Sequence, residues 1–169
     1  LRLRLECFSE ETRFDELAPG ALRFYLKGPT QYTYPLYERL LDDVLEVALA
    51  ASPQDNDPVL LDRNCIRPVG FARDEGLLPY PDRAPLAYRL LTEYFSFPDK
   101  FLFVEVHGLE ADTLARFGHT LEIYLYLDQS SIELEQNVSV DTFRLGCTPI
   151  VNLFRQRAEP IRLTETQTE

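Results

Sequence analysis

Glu105 and His107 stand two residues apart in the run Phe101-Leu102-Phe103-Val104-Glu105-Val106-His107, so on a strand they share one face. A glutamate and a histidine so placed could form an acid–base couple or half of a metal site. A hydrolase reading would give this pair the catalytic work. Nothing nearby in sequence completes such a site, and the pair reads as a strand end reaching solvent. His119, the other histidine, follows Gly118 and reads as a turn residue. Cys7, Cys65 and Cys147 are odd in number and far apart. They form neither a zinc spacing nor a disulfide framework, and they suit a reducing compartment. The P-loop, the dinucleotide fingerprint, the nucleophile elbow and the zincin motif are all missing. With 28 Asp and Glu, a glycosidase-type carboxylate pair is conceivable, but no particular pair is indicated. The residues therefore predict no catalytic, cofactor-binding or metal-binding site.

What the chain carries in quantity is aromatic bulk: 11 Phe and 9 Tyr, with no Trp. Tyr88, Tyr94, Phe95, Phe97, Phe101 and Phe103 are concentrated in one stretch and read mainly as core. Tyr32, Tyr34 and Tyr37 crowd a second stretch, and Tyr80 sits between Pro79 and Pro81. Aromatics outside a regular core are typical anchors of protein–protein contacts. Leu77, Leu78, Tyr80, Tyr32 and Tyr34 are accordingly the candidate partner-interface residues. Leu77 and Leu78 lie in a proline-bracketed loop and need covering, by the chain's own next helix or by another subunit.

The elements that must position these residues follow from hydrophobic period. Leu1, Leu3, Leu5 and Cys7 alternate with polar neighbours, as do Leu22, Phe24 and Leu26, and both segments predict strands. Leu36, Leu40, Leu41, Val44, Leu45 and Ala48 recur at helical spacing and predict one helix face running to Ala48. Short strands are expected at Val59–Leu61 and Cys65–Phe71, then a helix from Ala84 to Ser96 with an apolar stripe of Leu86, Leu90, Leu91 and Tyr94. The run 101–107 predicts a strand buried on both faces. A short helix over 109–117, a strand over 119–127, a helix over 131–138 and an extended segment from Phe143 to Phe154 complete the chain. The apolar residues of Pro149–Phe154 fall on both faces and predict a strand covered twice. The order predicts an α+β fold, with a mostly antiparallel, sandwich-like β core and two to four helices.

The chain has 169 residues, 17 Lys and Arg against 28 Asp and Glu, and a net charge of −11. Such a charge opposes broad nucleic-acid binding and attraction to anionic lipid. The densest basic group, Arg155, Arg157 and Arg162, is interrupted by Glu159 and Glu165. No apolar run is long enough for a membrane helix. The absence of Met, the start in the middle of a strand-like pattern and the abrupt end at Leu163–Glu169 read as a single internal domain, residues 1–169, of a longer protein.

Two stretches carry a family resemblance. One runs Arg67-Pro68-Val69-Gly70-Phe71-Ala72-Arg73-Asp74-Glu75-Gly76-Leu77-Leu78-Pro79-Tyr80-Pro81 and continues from Tyr88-Arg89-Leu90-Leu91-Thr92-Glu93-Tyr94-Phe95 to Phe103. The other is Gly146-Cys147-Thr148-Pro149-Ile150-Val151-Asn152-Leu153-Phe154 with Ala158-Glu159-Pro160-Ile161-Arg162-Leu163. Together they resemble the TssF (VasA/ImpG) family, baseplate subunits of the bacterial type VI secretion system. The resemblance covers nearly the whole chain, as an internal part of a longer family member. It implies a non-enzymatic, cofactor-free structural protein in the cytoplasm, in a baseplate assembled at the inner face of the inner membrane. The implied partners are TssG and a second copy of TssF, with TssE and VgrG in the same assembly. Without the resemblance, a ligand- or carbohydrate-binding β-sandwich module remains the alternative.

Overall fold

The computed structural model describes residues 1–81, 83–154 and 157. The chain runs β1 (Arg2–Glu6), α1 (Phe14–Leu17), β2 (Gly20–Leu26), α2 (Thr30–Asp42), β3 (Val44–Ala50), β4 (Val59–Leu61) and β5 (Ile66–Pro68). It continues with α3 (Leu86–Ser96), β6 (Phe103–Leu109), α4 (Ala111–Leu114), β7 (Thr120–Leu127), α5 (Ile132–Asn137) and β8 (Phe143–Arg144). Two four-stranded sheets result, in the orders β1-β7-β3-β4 and β5-β6-β2-β8, and every pairing is antiparallel. The α+β, antiparallel architecture agrees with the hydrophobic pattern. Five α-helical segments stand among the described residues, and α1 and α4 are four residues each.

Alternation on each strand builds the core. Val47 pairs with Leu125 and Leu49 with Ile123 on one sheet, and Phe24 pairs with Val104 on the other. All belong to one buried cluster with Leu36 and Leu40 of α2 and with Leu114 and Phe117. Burying such side chains contributes on the order of 1.5–3 kcal/mol each.

The helix expected to run through Ala48 stops at Asp42, and residues 44–50 form β3, paired with β7 and β4. The cause is a register shift between Val44 and Glu46. Val44 is buried, Leu45 and Glu46 are exposed, and Val47 is buried again, so the irregularity reproduces a spacing of three. Beyond it all of Val47–Ala50 is buried, which hides the period of two. The Asp43 carbonyl, free of the helix, accepts from the Asp128 amide at 2.9 Å and ties the strand start to the end of β7.

The expected extended segment 143–154 is also corrected. Only Phe143 and Arg144 pair with β2, and Gly146, at φ +68°, turns the chain away. Ile150, Leu153 and Phe154 are uncovered. Arg155 and Arg162 of the basic group, and Ala158–Leu163, lie outside the described residues.

Candidate protein interaction surface

Residues 69–81 and 83–85, between β5 and α3, have little regular structure, so their backbone groups need partners from elsewhere. They find them in charged side chains of the helix. The Arg89 guanidinium donates to the carbonyls of Arg73 and Ala72, each at 2.8 Å. The Glu93 carboxylate accepts from the amides of Leu77 (2.8 Å) and Leu78 (3.2 Å) through Oε1, and from Lys100 Nζ through Oε2. Arg89 Nε lies 3.8 Å from the same Oε2, one helical turn away. All three charged side chains are at most 3% exposed. Glu75 finishes the loop, accepting from the amides of Gly70 (2.8 Å) and Ala72 (2.9 Å). Gly70 itself sits at φ +102°, with the Lys100 carbonyl and the Phe101 ring 3.3 Å from where a Cβ would be, so the turn needs glycine.

Burial pushes the Glu93 carboxyl up, but the Lys100 ammonium and the two amides outweigh it, and its pKa falls below the usual value. Glu93 is therefore a carboxylate at neutral pH. The cluster is a clip that orders a loop, since each charge is committed to a fixed neighbour.

Because Arg89 and Glu93 point inward, the helix turns its apolar side out. The expected stripe does not pack into the fold: Leu91 and Tyr94 are about half exposed, and Leu86 and Leu90 are only partly covered. Tyr88 and Phe95 join them on the outer side, and Phe95 is 81% exposed. The rings run on as a chain. Tyr94 lies 5.6 Å from Phe95 and 6.1 Å from Phe101, and Phe101 lies 5.0 Å from Phe71. Tyr34 and Tyr37 of α2 form the facing wall of a groove of ≈ 370 Å³ floored by Leu90, Phe101 and Leu102. The Tyr37 hydroxyl is buried without a hydrogen-bond partner among the described residues, and burial raises its pKa to about 12.

Of the residues predicted from sequence, Tyr34 opens onto this groove. Leu77 and Leu78 are half-buried and are held by their backbone to Glu93. Tyr80 is half-buried, its hydroxyl 3.4 Å from the Pro85 carbonyl, and Tyr32 packs on the main core. Sequence reasoning missed the outward side of α3. The signal was present: Arg89 and Glu93, one turn apart, are the only charges between Leu86 and Pro98 and mark a single face.

Glu105 and His107 do share a face of β6. His107 Nε2 is 3.1 Å from Glu105 Oε2, and Arg23, the cross-strand partner on β2, donates to Oε1 through Nε (2.8 Å), with its Nη2 2.7 Å from the same oxygen. The carboxylate is thus occupied by an ion pair that ties β2 to β6. Among the described residues no group of three or more His, Cys, Asp or Glu is placed to hold a metal ion. No helix among them is long and apolar enough to cross a membrane.

A family model described as "Type VI secretion system, TssF" matches residues 1–169. The type VI secretion system component TssF1 of Pseudomonas aeruginosa is 36% identical over 169 residues, which is 100% of this chain and 27% of that protein. In a cryo-electron microscopy structure of the type VI secretion system TssK-TssF-TssG baseplate subcomplex, one chain is similar at a TM-score of 0.64 and 28% identity. That match covers 87% of this chain and 27% of the other. The chain thus spans about a quarter of the length of these relatives.

Proposed function

Because the chain belongs to the TssF family of the type VI secretion system, we propose that residues 1–169 act as an internal, non-catalytic scaffold unit of a longer baseplate subunit that assembles with TssG. The observation that carries this reading is the inverted helix α3. Its two charges are consumed in ordering a loop, and a continuous aromatic side is left facing solvent. Exposed aromatic groups of this extent are characteristic of interaction sites. The similarity to a chain of the TssK-TssF-TssG subcomplex agrees with it. Contacts with a second copy of TssF, with TssE and with VgrG belong to the same proposal, as does a cytoplasmic baseplate at the inner face of the inner membrane. The work of such a subunit is to hold partners in register until the assembly switches, which needs fitted interfaces rather than a catalytic constellation.

A glycan-binding role would require polar groups beside the rings, and the α3 groove is lined almost wholly by apolar atoms. The test is co-purification of the full-length subunit with TssG, with light scattering to give mass and stoichiometry. A stable complex is expected. Failure of the two proteins to associate would sink the reading. Glu105→Gln should leave that complex unchanged, since the carboxylate serves a local ion pair.

A further inference from the structure

Between β5 and β6 the chain leaves the sheet and returns at nearly the same place. The Val69 amide donates to the Phe103 carbonyl at 3.1 Å, and the Leu102 carbonyl accepts from the Leu26 amide at 2.8 Å. Gly70, at φ +102°, turns the chain out of the sheet. No described residue from 70 to 101 belongs to the main apolar cluster, which takes Ile66 on one side of this excursion and Leu102 on the other. Opening the excursion breaks no contact within that cluster.

Inside the excursion, helix and loop depend on each other. α3 has 11 residues, a length that is marginal at best for an isolated helix in water. The loop has no ladder to pair its backbone. Arg89 and Glu93 supply the loop's missing partners, and the amides of Leu77 and Leu78, with Lys100, satisfy Glu93 in return. All of these bonds begin and end within the excursion. Its ties to the sandwich are weaker. Among the described residues, the one ion pair that crosses is Arg23 Nη2 to Glu75 Oε1, 3.9 Å apart, and the arginine side chain is 44% exposed. Toward α2 the excursion faces the groove of ≈ 370 Å³ rather than a close-packed seam.

We infer that residues 70–81 and 83–101 form an order–disorder unit, in which the loop and α3 come apart and re-form together while the two sheets stay folded. The unit is cooperative because neither half keeps its buried charges satisfied without the other. In the scaffold reading it is a part that changes state without loss of the fold, but it stands on these contacts whether or not TssG binds.

The experiment is hydrogen–deuterium exchange of the full-length subunit, read by mass spectrometry on the wild type, Leu121→Ala and Glu93→Gln. In the wild type, peptides covering Leu77–Leu78 and α3 should share one protection, about tenfold or more below that of β3, β6 and β7. Leu121→Ala cuts a cavity in the core, so it should speed exchange of those strands about tenfold or more and leave the unit within about twofold of wild type. Ile123→Val serves as the milder core change if Leu121→Ala does not fold. Glu93→Gln should speed the loop and α3 by one common factor, about tenfold or more. If it leaves the unit open altogether, the wild type and the core variant decide. The inference is overturned if the unit is as protected as the strands, or if the core variant speeds both alike, because the excursion then opens only with the whole fold. It is overturned equally if Glu93→Gln speeds α3 without the loop, or the loop without α3.

Discussion

Between the two sheets, Phe24, Leu26, Val47, Leu49, Val104, Leu121 and Ile123 form one apolar cluster, while Glu122, a buried acidic side chain on β7, alternates with Leu121 and Ile123 and accepts from the Tyr124 hydroxyl at 2.5 Å. Around α3 the buried side chains of the helix are Arg89 and Glu93, joined by Lys100, while Leu91, Tyr94 and Phe95 face out. The difference follows from the backbone each region has to satisfy. Sheet ladders pair their own amides and carbonyls, so side chains are free to be apolar. The loop 70–81 has no ladder, and amides and carbonyls in it are met by a guanidinium and a carboxylate. A helix that turns its charged side toward such a loop must expose its apolar side. An ordered loop and an uncovered apolar side are thus two consequences of one orientation.

The comparison can be broken most sharply at Glu93. Glu93→Leu leaves the Lys100 ammonium and the amides of Leu77 and Leu78 without their acceptor, and should cost about 3–5 kcal/mol in unfolding free energy. Adding Lys100→Met should recover part of that loss, because an unpaired buried charge is worse than none. A double variant as unstable as the single one would mean that the charges are not compensating each other. In the sandwich, Leu121→Ala should cost about 2–5 kcal/mol through a cavity, with no second change able to recover it by charge.

Acid should act on α3 and the loop it orders before the apolar core. The native pKa of Glu93 lies below its ordinary value of 4.5. As pH falls, the unfolded chain therefore takes up this proton first. The contribution of Glu93 is full above the ordinary value and is lost as pH drops from there through the native one. Glu93→Gln should flatten this part of the stability profile, as read by denaturation at a series of pH values. Asp15, lowered by its bond from Arg13, and Asp55, lowered by the amides of Ala51 and Asp57, should keep a residual slope. An unchanged profile would place the acid sensitivity elsewhere. The smallest effect is expected at Phe95→Ser, within about 0.5 kcal/mol of wild type in a thermal melt. A larger loss would show that the outer side of α3 is packed within the fold, and the contrast between the two regions would fail.

Most strands were legible from their alternation, because a face that meets a core must be apolar at every second residue. This held for β1, β2 and β7, and the aromatic, β-branched run placed β6. The segment 44–50 was not legible. Its register shift copies a helical spacing, and its second face is covered by neighbours that only the assembled sheet supplies. Pairing of Glu105 with His107 followed from their separation of two, whereas the Arg23 ion pair depended on β2 lying beside β6. For the candidate surface, the aromatic richness of residues 88–103 was visible and its direction was not.

From sequence alone came the α+β class, the antiparallel pattern, the acidic surface and the stretches that resemble the TssF family. These depend on composition and on periods of two and 3.6, which are local properties. Only the tertiary structure decided which side of α3 is buried. Apolar periodicity says that a helix has two unlike sides, and the side that turns inward depends on what it meets. Here it meets an irregular backbone whose amides and carbonyls take their hydrogen bonds from Glu93 and Arg89.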